Sequence, residues 1–299
     1  MILLSRYGAL YMFFGGALFM DRCGQELKSL LHPGILDCFQ RPPEEEMVGN
    51  ELCFFHRKRL GACRKRFVWR KPFLGSLWCQ RCIVVGNGYS IHGQRFGKMI
   101  DSHHVIIRLN DAPVKEHKKD VGERTSIRLF FPESALPNPL ENNDNETLMV
   151  FVPFKPLDFL WLREVLLKTR NKTKAGFWRQ PPWEWNGNVS HLRILNPYVT
   201  YEATYKLLQL KTWSRRYATT GIIALNLALH MCQEVNIAGF GYPGNHDNAT
   251  PIHYYNTGRS REKELIQHNL TAERNWLLKM IKQGVIADIT NPSFQAQNH

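Results

Sequence analysis

The sequence lacks the succession of long hydrophobic runs that a multi-span membrane protein needs. It has no collagen period, no heptad repeat, no internal repeat and no low-complexity tract, which excludes fibrous and solenoid architectures. Its chemical absences are as informative. There is no DxD, no second CxxC to complete the zinc half-site offered by Cys79 and Cys82, and no His pair at finger spacing, so nothing in it indicates a metal site. There is no GxSxG and no P-loop. Gly86-Asn87-Gly88 lacks the third glycine of a dinucleotide fingerprint, because position 91 is Ile91.

Acidic residues are also scarce, at 26 Asp+Glu against 39 Lys+Arg, for a net charge of +13. Such a charge suits a nucleic-acid binder. Its distribution argues otherwise. From Phe54 to Arg81 there are nine Lys/Arg and no acid, so the rest of the chain carries only +4. The run reads as a solvated stem, and no nucleic-acid partner is expected.

What is present is a 299-residue chain, 43% hydrophobic, long enough for a substantial core. The uncharged stretch Tyr7–Met20, preceded by Arg6, reads as a short signal anchor behind a cytoplasmic tail, giving residues 1–22 that role. Residues 23–78 carry Pro33, Pro42, Pro43 and Glu44–Glu46 without periodicity, and read as a stem or linker; a catalytic domain is expected over 79–299. Five glycosylation sequons, at Asn145, Asn171, Asn188, Asn248 and Asn269, exceed the chance expectation of about 1.6 and, with seven cysteines, indicate a lumenal or extracellular protein with structural disulfides.

Hydrophobic patterning predicts strands at 83–85, 105–109, 126–131, 148–152, 193–195, 235–238 and 285–289. Helices are predicted at 93–100, 158–168, 201–208, 220–231 and 271–282. This alternation implies an α/β fold with a mostly parallel, Rossmann-like sheet flanked by helices. Ligands of such folds bind outside the carboxyl ends of the strands. Asn87 follows the first predicted strand and Asn110 ends the second, which suits a ribose or a base. Thr219-Thr220-Gly221 opens the apolar helix and can offer N–H groups and hydroxyls to an anion. Tyr217 precedes that turn, and Gly239 follows the next strand. His253-Tyr254-Tyr255 can bind an anion or an alcohol, and His268 with Glu273 nearby offers a general base.

These segments, taken in order, resemble a known family. Cys79 through Gly88, Arg108-Leu-Asn110 and Asp120–Thr125 resemble the large motif of the animal sialyltransferases, glycosyltransferase family 29. Thr219–Ile222 to Val235 and Ala238–Tyr242 resemble their small motif, His253-Tyr-Tyr their third, and His268-x₄-Glu273 their very small motif. Each motif alone is weak; four in order over 79–273 are specific. The chain is most similar to the β-galactoside α2,3-sialyltransferases, and Phe131–Ala135 and Gly176–Pro182 look most like the type 4 member, then type 6.

The resemblance implies a glycosyltransferase-A-type variant domain without a metal or other cofactor. It implies a CMP-sialic acid donor held by Asn87, Asn110, Thr219, Thr220, Gly221 and Gly239, with Tyr217 and His253 at the donor phosphate and His268 as base. It implies inverting transfer to the 3-hydroxyl of a terminal β-galactose on glycoprotein or glycolipid glycans, in a Golgi type II membrane protein. It also implies a Cys82–Cys232 disulfide, and a bond from Cys79 to an upstream cysteine. A catalytically silent glycan-binding protein on the same fold is the alternative, against which His253, His268 and Glu273 stand. Ala218 stands where the family usually has proline, which predicts a looser turn around Tyr217.

Overall fold

Runs of β-branched residues build the centre of the molecule. In the computed structural model, which describes residues 81–214, 216–241, 249–259 and 262–291, Arg81–Val85 (β1) and Val105–Leu109 (β2) are buried strands. Ile127–Phe130 (β3), Leu148–Phe151 (β4), Leu192–Ile194 (β5), Glu234–Ala238 (β6) and Ile286–Asp288 (β7) complete one seven-stranded sheet in the order β5-β4-β3-β2-β1-β6-β7. All its neighbouring strands are parallel. A parallel sheet is covered on both faces, and β1 shows it: Cys82 and Val84 point into one core cluster, Ile83 and Val85 into another.

The chain moves outward from β1 through β5, then crosses back to lay β6 on the other side of β1. The order therefore reverses between β1 and β6, and the carboxyl ends of those strands open a crevice.

Among the described residues seven α-helices flank the sheet. Gly97–Asp101 (α1) and Lys118–Val121 (α2) are short. Pro156–Leu166 (α3) starts with Pro at its first position, where no amide donor is missed. Pro197–Tyr201 (α4) runs into a π-helical stretch, Glu202–Leu207. Thr220–Met231 (α5) is apolar on nearly all sides and is accordingly buried, with Ile222 through Asn226 in the core. Glu262–Gln267 (α6) and the amphipathic Leu270–Lys282 (α7) close the chain onto β7. The Cys82–Cys232 disulfide joins β1 to the C-cap of α5.

The helix expected over 93–100 forms only from Gly97, because Gly93 (φ 74°) and Arg95 (φ 57°) take left-handed backbone that a right-handed helix excludes. The Asp120 carboxylate secures that turn by accepting the N–H groups of Gly93 (2.8 Å) and Arg95 (2.9 Å). The helix expected at 201–208 begins earlier, at Pro197, and is π-helical in its second half. The anchor, the stem, Cys79, Tyr242 and Asn248 lie outside the described residues. Among the described residues no helix is long and apolar enough to cross a membrane.

Candidate active site

The crevice floor is made of two glycine loops that close on each other. Gly86 N donates to Ala238 O at 2.8 Å and Gly88 N to Gly239 O at 2.8 Å. A Cβ on Gly86 would stand 2.4 Å from Gly239 O, and Gly239 itself has φ 67°. The glycines expected to admit a ligand thus serve first to let the β1 and β6 exits pack backbone against backbone. Phe240 seats between Gly86 and Gly221 and ties this floor to the start of α5.

Asn87 projects from that floor. Its carbonyl accepts the Tyr254 N–H at 3.1 Å, and its side chain hydrogen-bonds Tyr255. Gly88 bridges to His253, so the His253-Tyr254-Tyr255 segment lies against the β1 exit. His253 stacks on Tyr255 with ring centroids 5.2 Å apart, and Tyr254 donates to Pro113 O at 2.6 Å. Burial pushes the Tyr254 hydroxyl up to about 12 and raises that of Tyr255, so both stay protonated and can donate near neutral pH.

Asn110 adopts φ 58° at the end of β2. Its backbone is held on both sides, N–H to Leu129 O at 2.8 Å and carbonyl from Arg128 Nη1 at 2.8 Å. Its Oδ1 is buried and has no partner among the described residues. A strained backbone presenting an unpaired buried acceptor is costly for the fold and useful for a ligand. Beneath it Arg108 and Arg128 are neighbours in register, both buried, and desolvation lowers each to about 10. They remain charged at neutral pH and place positive potential under the crevice.

The other half of the site is set by α5 and α7. Thr219 caps α5, its Oγ1 accepting the Ile222 N–H. Glu273 in the first turn of α7 accepts from Thr219 N and from Thr219 Oγ1, both at 2.8 Å. Burial raises the Glu273 carboxyl to about 7, the two Thr219 bonds only partly opposing it. Both its oxygens are thus engaged on Thr219, and it braces the turn that opens α5. Thr220 and Gly221 follow as the first residues of α5.

His268, just before α7, places Nδ1 2.8 Å from Tyr217 O. A carbonyl only accepts, so Nδ1 carries the proton, and in the neutral imidazole the lone pair lies on Nε2. The Tyr217 ring meets His268 edge-on at 4.9 Å and Phe154 at 5.3 Å. Its hydroxyl is pushed to about 12 by burial, then by the carboxylates of Glu133 and Asp158. Ala218 is the residue before the α5 cap. It is fully buried and its N–H donates to Thr204 Oγ1 at 3.1 Å, a bond proline could not make.

The structure therefore brings Asn87 to His253, Thr219 to Glu273 and Tyr217 to His268, all along one sheet edge. Sequence reasoning missed a buried group beside Tyr217. Lys155 Nζ bridges Glu133 (2.9 Å) and Asp158 (2.8 Å), three residues drawn from the exit of β3 and the start of α3. The only sequence signal was Phe131–Ala135, read as a subtype mark. Among the described residues no group of three or more His, Cys, Asp or Glu could hold a metal ion.

Residues 67–285 match glycosyltransferase family 29 (sialyltransferase). The chain is 42% identical over 219 residues to CMP-N-acetylneuraminate-beta-galactosamide-alpha-2,3-sialyltransferase 4 of Rattus norvegicus, covering 72% of this chain and 66% of that protein. It is also 42% identical over 218 residues to type 2 lactosamine alpha-2,3-sialyltransferase of the same species, covering 71% and 65%. It thus spans slightly less than two thirds of the length of these relatives. A crystal structure of a mammalian sialyltransferase superposes with a TM-score of 0.57 at 27% identity, covering 71% of this chain and 69% of that one. The sheet is accordingly the glycosyltransferase-A-type variant that the sequence motifs imply.

Proposed function

The chain belongs to glycosyltransferase family 29, the sialyltransferases, and from that premise we propose that it transfers sialic acid from CMP-N-acetylneuraminate to the 3-hydroxyl of a terminal β-galactose. The single observation that supports this most is the His268–Tyr217 pair, in which the Tyr217 carbonyl orients the imidazole through Nδ1. Relatives named for α-2,3 transfer to β-galactosamide and to type 2 lactosamine support the linkage and favour N-acetyllactosamine as acceptor.

In this reading the nucleotide sits over the β1–β6 crevice, where the unpaired Asn110 Oδ1 and the side chain of Asn87 bind its ribose or base. The galactose 3-hydroxyl attacks the anomeric carbon of sialic acid as His268 Nε2 takes its proton. The bond from that carbon to the phosphate oxygen breaks, and CMP leaves with the electron pair. The developing charge is met by the N-terminus of α5 at Thr220 and Gly221, which Thr219 holds in place as the cap, and by Tyr217 and His253. A single displacement inverts the anomeric centre. The donor is a substrate, and the reading needs no resident cofactor. Residues 1–22 as a type II signal anchor, 23–78 as stem and the Golgi membrane as location belong to the same proposal.

The test is transfer from CMP-sialic acid to N-acetyllactosamine with linkage analysis of the product. His268→Ala is expected to lower turnover by about 10²–10⁴-fold with donor binding retained. Turnover near wild type refutes the base, and absence of transfer by the wild type refutes the activity and leaves a glycan-binding role.

A further inference from the structure

The Gly176–Pro182 segment carries Trp178 and Arg179. In the structure its Arg179 crosses the carboxyl edge of the sheet. Nε donates to Glu133 O at 2.6 Å, and Nη2 donates to the same carbonyl and to Asp111 Oδ2 at 2.7 Å. Asp111 follows Asn110 at the exit of β2, and Glu133 lies just past β3. The segment is thus pinned across two strand exits beside the crevice. Its neighbour Trp178 lies with its ring centroid 5.4 Å from the Arg179 guanidinium carbon. The indole is nevertheless 63% exposed.

A cation–π contact and three hydrogen bonds through Arg179 fix the position of a large apolar ring that remains in water. Its anchor Arg179 joins the exits of β2 and β3, next to the β1–β6 exits assigned to the nucleotide. Glu133, whose carbonyl Arg179 holds, raises the Tyr217 hydroxyl through its carboxylate, and the Tyr217 ring meets His268 edge-on at 4.9 Å. Arg179 and Asp111 also act on the Tyr255 hydroxyl, so the segment borders both the Asn87–Tyr255 side and the Glu133–Tyr217–His268 side of the site. β-Galactose, with its axial 4-hydroxyl, presents C3–H, C4–H and C5–H together on one face, and that face suits an indole.

We propose that Trp178 is a specificity-determining contact for the β-galactoside acceptor, stacking on the C–H face of its sugar, and that Arg179 and Asp111 are positioning residues that set the ring's angle. This rests on the transferase reading above and adds the surface on which its acceptor is held.

The test is steady-state kinetics with both substrates varied. Trp178→Ala is expected to raise the acceptor KM about tenfold while the donor KM stays within about twofold, and Trp178→Phe to recover most of the loss. The side chain is largely exposed, so the variants should melt with the wild type. Binding of free N-acetyllactosamine, read by saturation-transfer NMR on the wild type and on Trp178→Ala, separates the two proposals: binding lost in the variant supports the platform even if no sialic acid is transferred. An acceptor KM within about twofold of wild type overturns the inference. So does a parallel rise in both KM values, which would place the ring on the donor base or in the fold.

Discussion

Asn110 concentrates what is unusual at the level of single residues. It combines a left-handed backbone with a buried side-chain oxygen that has no partner among the described residues. Both features cost the empty protein stability, and both are removed by Asn110→Gly. That variant is expected to gain about 1 kcal/mol in thermal or denaturant unfolding without donor, while its donor KM rises about tenfold or more. A variant less stable than wild type would show that Asn110 is there for the fold. Glu273 makes a second case, through pH. Its folded value near 7 lies above the ordinary carboxylate range, so between about 4.5 and 7 the folded state holds a proton that the unfolded chain has lost. Stability from this group therefore falls as pH rises across that window. Glu273→Gln keeps an acceptor for Thr219 N and does not titrate. The stability difference between wild type and variant is expected to shift by about 2 kcal/mol in the variant's favour from pH 5 to pH 8. A pH-independent difference would refute the assignment.

At the level of elements the strands were easy to read and the site's supports were not. Buried parallel strands write themselves as short β-branched runs, and the seven expected ones lie within one or two residues of those observed. The apolar helix 220–231 coincides with α5 because burial on all sides leaves an unbroken apolar signature. The failures share a cause: short helices such as α2 and α6 hold too few residues to show a period, and positive φ at Arg95 has no sequence mark. The motif residues were legible only as an ordered set. Their partners, Arg128, Lys155 and Glu133, come from distant segments that meet only on folding. The Cys82–Cys232 bond belongs to this scale as well, spanning 150 residues between β1 and α5. Replacing both cysteines with alanine is expected to cost about 2–5 kcal/mol, read as a lowered melting temperature. A double variant as stable as wild type would show that β1 and α5 are held by packing alone.

For the whole molecule the question is which surface must stay clear. The active edge collects the carboxyl ends of β1, β2, β3 and β6, whereas Asn145 and Asn188 are exposed just before β4 and β5, at the opposite edge of the sheet, where with Glu146 and His191 they line a surface cleft. Asn171 is exposed beyond α3. Glycans on these three leave the crevice open. Asn269 is different. It caps α7 through an Oδ1 bond from the Ala272 N–H at 3.1 Å, directly after His268. A branched glycan on its amide nitrogen would stand over the base and crowd the Glu273 brace. The secreted domain is therefore expected to carry glycans at Asn145 and Asn188 and none at Asn269, measured by glycopeptide mass spectrometry of protein made in animal cells. Asn269→Gln would then leave the glycan mass unchanged. Active enzyme with Asn269 fully glycosylated would refute the placement of His268 at the acceptor, since the sugar and the substrate would claim the same space.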